Sequence, residues 1–244
     1  LTSVIIPKML SNFLSRQHTI SFAACITQFY FYFFLGASEF LLLAVMSADR
    51  YLAICGPLLY PSLMPSSLAT RLAAASWGSG FFSSMMKLLF ISQLSYCGPN
   101  IINHFFCDGP PVLKLVTVDT TMYEMQALAS TLLFIMFPFC LILVSYTRII
   151  ITILRMSSAT GRQKAFSTCS SHLIVVSLFY GTASLTYLRP KSNQSPESKK
   201  LVSLSYTVIT PMLNPIIYGL RNNEVKGAVK RTITQKVLQK LDVF

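Results

Sequence analysis

Long runs of apolar residues dominate this chain, and few polar positions interrupt them. A helix needs about 20 apolar residues to cross the hydrocarbon core of a bilayer. Inside the longest runs we find one acid (Glu39), one lysine (Lys87) and one histidine (His172), whereas a surface helix of a soluble protein alternates polar and apolar faces. We therefore predict an all-α membrane protein with five complete transmembrane helices, over residues 22–46, 72–94, 125–147, 165–188 and 201–220.

The first ten residues, "LTSVIIPKML", are apolar but too short to span a bilayer. The chain starts with Leu1 rather than Met, and no secretory signal peptide is visible. We expect this segment to form the last turns of a further helix, and an N-terminal portion to be missing from the sequence.

Composition and charge agree with this interpretation. Hydrophobic residues make up 53% of the 244 residues and charged residues 11%. The net charge of +12 would suit a nucleic-acid partner, but no basic patch interleaved with aromatic residues supports one, so we predict none. If the first full span ends inside the cell at Arg50, Lys and Arg are more frequent on the cytoplasmic side, although the lysines between 191 and 200 oppose this trend.

Residues 95–124 form the longest connection between spans, with two cysteines and three prolines. Long structured loops in compact proteins are usually functional. A flexible spacer is the alternative, but the cysteines favour an ordered lid over the outer end of the helices.

The chain divides into a membrane domain, residues 1–220, and a basic tail, residues 221–244. Apolar residues recur at every fourth position of the tail beside basic ones, which predicts a cytoplasmic amphipathic helix lying on an anionic membrane surface. A solvated, partly frayed tail is the alternative. The apolar positions are Val225, Val229, Ile233, Val237 and Leu241.

Six blocks of sequence resemble the rhodopsin-like olfactory receptors, a family of G-protein-coupled receptors. They are "PKML" at 7–10, "GASEFLLLAVMSADRYLAICGPLLY" at 36–60, "SY" at 145–146, "KAFSTCSSHL" at 164–173, "FYGT" at 179–182 and "PMLNPIIYGLRN" at 211–222. They follow the order and spacing of the family across nearly the whole chain. The family has seven helices, and the resemblance begins at the end of the second, so the first helix and most of the second have no counterpart here.

The resemblance implies a multi-pass plasma-membrane receptor that binds a small hydrophobic odorant and activates a heterotrimeric G protein of the olfactory type. Arg50, held by Asp49 at rest, would contact the G protein after activation; a charge pair that merely marks the membrane boundary is the alternative. Ala48 replaces the aromatic residue usual before this pair. The implied switch residues are Asp49, Arg50, Tyr51, Tyr146, His172, Asn214, Pro215 and Tyr218.

The resemblance also implies a disulfide bond between Cys25 and Cys107 in an oxidising compartment. Thr117 stands where the family has a further loop cysteine, so we expect Cys97 to be a free thiol. In the family, an acid at the position of Glu39 helps to hold a sodium ion together with a partner acid of the second helix. That helix has no counterpart here, which leaves Glu39 and Asn214 as an incomplete sodium site.

The ligand pocket is expected one to three helical turns inside Cys25, where the resemblance places an aromatic wall with few hydroxyl groups. Such residues also occur as ordinary helix packing. The candidate ligand-binding residues are Tyr32, Phe33, Gly36, Ala37, Ser130, Phe134, Tyr180, Ser184, Tyr187 and Thr207.

Other functional classes have less support. No metal-ligand spacing and no nucleophile beside a placed base is found, so we predict that the protein is not an enzyme and has no metal site. No internal repeat suggests a transporter. A non-signalling truncated fragment, or a pseudogene-like product, of such a receptor is the alternative function; accordingly, we expect residues 1–244 alone to respond poorly to odorants.

Overall fold

The computed structural model describes residues 1–15, 18–96, 100–117, 119–187, 196–221, 227–228 and 231. Most of these residues are helical, and an isolated antiparallel bridge joins Tyr96 and Val116. The all-α prediction is confirmed. The helices are α1 (Thr2–Leu14), α2 (Phe22–Cys55), α3 (Tyr60–Leu63), α4 (Ser66–Ser92), α5 (Gly109–Leu113), α6 (Thr121–Thr131), α7 (Phe137–Arg155), α8 (Ala159–Tyr187), α9 (Pro196–Leu204) and α10 (Thr210–Arg221).

Helix α2 is the central element of the bundle. The Ser21 hydroxyl caps its N-terminus by accepting a hydrogen bond from the Ala24 N–H, and the helix ends at Cys55, before Gly56. It packs against α4, α7 and α8. The helix is longer than the predicted span 22–46 because apolarity limits only the length inside the bilayer, whereas the hydrogen-bonded backbone continues beyond it.

Small residues allow α4 to approach α2 closely. Ser76, Gly80 and Ser84 are buried at four-residue intervals on one face of α4. A Cβ atom added at Gly80 would lie 2.9 Å from the backbone oxygen of Phe34 in α2 and would also clash with the Ser38 hydroxyl. Contacts between small residues let membrane helices pack backbone to backbone, so this stripe sets the rotation of α4 in the bundle.

Within the described residues, two π-helical segments, Leu132–Met136 and Ser205–Ile209, interrupt otherwise α-helical runs. Each ends two residues before a proline, Pro138 or Pro211. A proline lacks the N–H that the α-helical ladder requires and its ring clashes with the carbonyl of the preceding turn. Widening that turn relieves the clash, and π-bulges of this kind are frequent at functional sites.

The largest apolar cluster joins α2, α7 and α8, including Phe40, Ile149 and Phe179. The opposite faces of α6 and α7 expose large apolar side chains such as Leu128 and Val144, as expected of surfaces in contact with lipid. By length and hydropathy, two helical segments of the described chain qualify as membrane-spanning candidates, Phe22–Cys55 and Thr121–Arg155.

Candidate functional site: a ligand cavity and a charged cluster

A cavity of about 180 Å³ lies among α2, α4, α6 and the loop that follows α4. It is nearer to Cys25 than to Arg50 along α2, and we call this end of the bundle the Cys25 end. The π-helical turn before Pro138 contributes to its wall. Six of the candidate ligand residues line it: Tyr32, Phe33, Gly36, Ala37, Ser130 and Phe134.

The remaining candidates are placed differently. Tyr180 packs against Phe40 and Phe139, with ring centroids 5.1 and 5.0 Å apart, and does not line this cavity. Thr207 is buried and donates a hydrogen bond to the Ser203 carbonyl, which places it within its own helix packing. Sequence position predicts the depth of a residue along its helix, but the rotation of the helix decides which way its side chain points. Here the side chains of Tyr180 and Thr207 point away from the cavity. The side chains of Ser184 and Tyr187 lie outside the described part of the structure.

Several cavity residues were not among the candidates, and two of them carry ionisable groups. Lys87 of α4 is 6% exposed and Asp108 of the loop is 4% exposed. The lone lysine of an apolar span was the sequence signal for the first; nothing in the sequence distinguished the second from other loop acids. The further lining residues include Phe40, Ser83, Gly109, Pro110, Tyr123, Ala127, Thr131, Ile135 and Phe179.

The loop is fastened over the cavity by covalent and polar contacts. The predicted disulfide bond between Cys25 and Cys107 is present, with Cα atoms 5.5 Å apart. The Gln28 side chain accepts a hydrogen bond from the Cys107 N–H at 3.0 Å and donates one to the Val4 carbonyl of α1 at 3.1 Å. Thus α1, α2 and the loop are joined beside the bridge. Cys97 lies outside the described residues.

Asp108 caps the N-terminus of α5, a short helix within this loop. We call the loop the lid of the cavity. Its carboxylate accepts a hydrogen bond from the Gly109 N–H at 2.8 Å, while burial raises the pKa of Asp108 to about 6. Tyr123 approaches Gly109 so closely that an added Cβ atom would lie 2.6 Å from its hydroxyl oxygen. A side chain at position 109 would therefore have to displace the Tyr123 hydroxyl group.

At the other end of α2, which we call the Arg50 end, three polar side chains form a charged cluster. Arg50 Nε and Asp49 Oδ2 are 4.0 Å apart, and both side chains are partly exposed. The Tyr60 hydroxyl of α3 donates a 2.7 Å hydrogen bond to the other Asp49 oxygen, which raises the pKa of Tyr60. Asp49 is thus held by two partners, and Tyr60 was not among the predicted switch residues.

Two further switch candidates meet in the helix core. The Tyr146 hydroxyl of α7 and Nδ1 of His172 in α8 share a 2.5 Å hydrogen bond, and their rings stack with centroids 5.7 Å apart. Both side chains are buried. Tyr51 of α2 packs at the edge of the large apolar cluster that joins α2, α7 and α8. These contacts join α2, α7 and α8 in their halves nearer to the Arg50 end.

Glu39 and Asn214 are neighbours although 175 positions separate them. The Asn214 side-chain amide donates a 2.8 Å hydrogen bond to the Glu39 carboxyl group. A hard cation prefers several oxygen ligands. The described residues contain no cluster of three or more His, Cys, Asp or Glu side chains, and the sodium site implied by the resemblance stays a prediction.

Asn214 lies immediately before Pro215, which is accommodated inside α10. The side chain of Tyr218 lies outside the described part, as do most residues of the tail 221–244, so the predicted amphipathic tail helix remains a prediction.

Comparison with known proteins adds independent evidence to this geometry. Residues 1–236 match the family model described as "Olfactory receptor". The chain is 77% identical to human olfactory receptor 10A7 over 243 residues, covering 100% of this chain and 77% of that relative. It is 58% identical to human olfactory receptor 10A2, covering 95% of this chain and 77% of the relative, and 59% identical to human olfactory receptor 10A5, covering 96% and 74%.

A family match over nearly the whole chain, together with close relatives of which it covers about three quarters, agrees with the receptor-like blocks of the sequence and with the helical bundle around an apolar cavity. Such receptors are multi-pass proteins of the plasma membrane that detect odorants, and they are not enzymes. This chain belongs to the olfactory receptor family.

Proposed function

We propose that the cavity at the Cys25 end binds a small hydrophobic odorant and that the charged cluster at the Arg50 end passes the signal to a heterotrimeric G protein of the olfactory type. One observation supports this proposal above the others: a single helix takes part in both sites. Helix α2 lines the cavity with Tyr32 and Phe33 and carries Asp49 and Arg50 about 27 Å further along its axis.

The cavity suits such a ligand because aromatic rings surround most of it, with few polar groups to orient the molecule. A ligand in contact with Phe33 or Phe40 presses on α2 directly. Because packed helices shift as units, a small displacement of α2 against α4 and α7 reaches its far end.

The charged cluster suits a switch because its bonds are weak. An ion pair between partly exposed side chains contributes only about 0–1 kcal/mol. A modest movement of α2 relative to α3 can therefore free Arg50 for a partner. We propose that this end faces the cytoplasm, in five complete spans of residues 1–220, and that the basic tail 221–244 lies along the inner membrane surface.

Replacement of Arg50 tests the proposal. In cells that express a receptor chain containing residues 1–244, Arg50→Ala should reach the surface at the normal level, bind odorants normally, and lose ligand-dependent nucleotide exchange on the G protein. Arg71→Ala is the matched control, since Arg71 is an exposed arginine at the same end of the bundle. Full exchange by Arg50→Ala at normal surface level would remove the switch role.

A further inference from the structure

Lys87 is an unusual residue for the wall of an odorant cavity. It is the one basic side chain among the described lining residues, and it is buried in α4, whose apolar run 72–94 is predicted to span the membrane. A buried ammonium group is costly in such surroundings and marks a functional site by default. The question is therefore which negative or polar group it was placed to meet.

The position of Lys87 on α4 directs it into the protein. Ser84, Lys87 and Ile91 are buried on the face of α4 that carries Gly80, the point of closest approach to α2. A lysine near a helix end usually extends its side chain to the membrane surface. Here the chain turns inward instead, because the small-residue stripe fixes the rotation of α4.

The contacts of Lys87 leave hydrogen-bonding capacity for a ligand. Its Nζ donates a 2.9 Å hydrogen bond to the Ser130 hydroxyl, and Ser130 in turn donates to the Gln126 carbonyl of its own helix. The ammonium also lies 5.3 Å from the centre of the Phe33 ring. An ammonium group has three N–H donors, and one neutral hydroxyl and one ring face satisfy it only in part.

No protein carboxylate neutralises this charge within the described residues. No Asp or Glu oxygen there lies within 4.0 Å of Lys87 Nζ. Asp108 lines the same cavity, but its carboxylate bonds to the Gly109 N–H. A buried cation without a counter-ion costs several kcal/mol, and an anionic group that enters the cavity would recover part of that cost.

We propose that the cavity recognises small organic acids, whose carboxylate pairs with Lys87 while their apolar body contacts the rings of Phe33, Phe134 and Phe179. This inference rests on the proposed odorant site and names the chemical class of its ligand. The size follows from the volume: an apolar cavity of about 150 Å³ holds benzene. A cavity of about 180 Å³ therefore suits an acid slightly larger than benzene, such as phenylacetate.

The test compares two ligands of equal shape, phenylacetate and phenylacetamide, which differ in charge. Binding is measured on the full chain in lipid nanodiscs by the ligand-induced rise of its unfolding midpoint. Phenylacetate should bind about tenfold or more tightly than phenylacetamide, and Lys87→Met should abolish that difference by weakening phenylacetate alone. Lys114→Met, which removes an exposed lysine of the loop, is the matched control and should keep the difference.

Ser130→Ala separates recognition from a structural role. If Lys87 only ties α4 to α6, Ser130→Ala and Lys87→Met should affect both ligands alike. If it recognises the acid, Ser130→Ala should retain the preference for phenylacetate, because the charge remains. The Ser130→Ala variant, and the comparison of the two ligands on the unchanged chain, still test the proposal if Lys87→Met fails to fold.

Nucleotide exchange on a G protein, measured with the same ligands, distinguishes this inference from the proposed function. Binding of phenylacetate without exchange would contradict the signalling role but support acid recognition. Binding and exchange with phenylacetamide but not phenylacetate would overturn acid recognition and leave the signalling role intact. Equal affinities for the two ligands, or binding of neither, would also overturn it.

Discussion

Charged side chains at the two ends of α2 differ in their burial and in their pairing. At the Cys25 end, Lys87 and Asp108 are buried around one cavity, yet no ion pair joins them. At the Arg50 end, Asp49 and Arg50 are partly exposed, lie next to each other in sequence, and are paired; Tyr60 adds a further bond. Burial of the two charged groups at the Cys25 end is energetically unfavourable. The exposed pair at the Arg50 end loses little free energy when its partners exchange.

The contrast follows from the dielectric surroundings. Away from water a charge interacts strongly, so an unpaired group discriminates sharply between ligands that do and do not complete it. Near water the same charges are screened, so their pairing is weak and can exchange partners. Under the proposed function, the receptor needs selectivity at the Cys25 end, where it would bind the odorant, and easily exchanged contacts at the Arg50 end, where it would bind the G protein.

Loss of the disulfide bond should produce the largest change, confined to the Cys25 end. Cys107→Ser breaks a bridge between residues 82 positions apart and frees the loop that carries Asp108. Removal of such a bridge typically costs about 2–5 kcal/mol. We expect a lower unfolding midpoint and loss of ligand binding. Cys140→Ser, which removes an exposed free cysteine of α7, should change neither; an unchanged midpoint for Cys107→Ser would show that the lid is held by its packing.

Gly80→Ala should lower the stability of the whole bundle, including both ends of α2, because it pushes α4 away from α2. Its Cβ atom would clash with backbone and side-chain oxygens of α2, at a cost of about 1–3 kcal/mol. Gly78→Ala in the same helix meets open space and should be neutral or stabilising. Thermal unfolding of the two variants measures the difference. Equal midpoints would mean that α2 and α4 are not in close contact.

Asp108→Asn should alter the pH dependence of stability. Burial raises the pKa of Asp108 from 3.8 to about 6 in the folded protein, so the folded state holds the proton more tightly than the unfolded chain. The stability that this proton provides is present below pH 4 and is lost as the pH rises through 6. The substituted amide would keep an acceptor for the Gly109 N–H without the charge. The variant should therefore gain about 2–3 kcal/mol relative to the unchanged chain between pH 4 and 7.

Asp119→Asn provides the control of opposite sign. Hydrogen bonds from Thr121 lower the pKa of the exposed Asp119, so the stability that Asp119 provides is lost as the pH falls. Unfolding midpoints measured across the pH range separate the two acids. If the unfolding midpoint of Asp108→Asn depends on pH in the same way as that of the unchanged chain, burial does not raise the pKa of Asp108.

Tyr60→Phe should have the smallest effect, at the Arg50 end. It removes one hydrogen bond to Asp49 near the surface, worth about 0.5–1.5 kcal/mol. The midpoint of unfolding should barely move, while ligand-independent nucleotide exchange rises about two- to fivefold because Asp49 holds Arg50 less firmly. Ser62→Ala, in the same short helix, should leave exchange unchanged. A decrease in exchange would instead assign Tyr60 to the active state.

The sequence by itself determined the class of the fold and the location of the charged cluster. Long apolar runs predict membrane helices because the bilayer imposes a length and a polarity on each segment independently of its neighbours. Asp49 and Arg50 are adjacent in the chain, so their pairing needed no knowledge of the bundle. The receptor-like blocks around them are local patterns too, and they indicated the family before any helix was placed.

Only the tertiary structure decided which polar groups meet across helices. Glu39 reaches Asn214, Lys87 reaches Ser130, and Tyr60 reaches Asp49 because helix rotations, set by contacts such as that of Gly80 with α2, turn these side chains toward each other. Tyr180 was expected in the cavity and packs beside it for the same reason. An apolar run fixes the length and depth of a helix, but its rotation depends on all of its neighbours at once, and no local stretch of sequence contains that information.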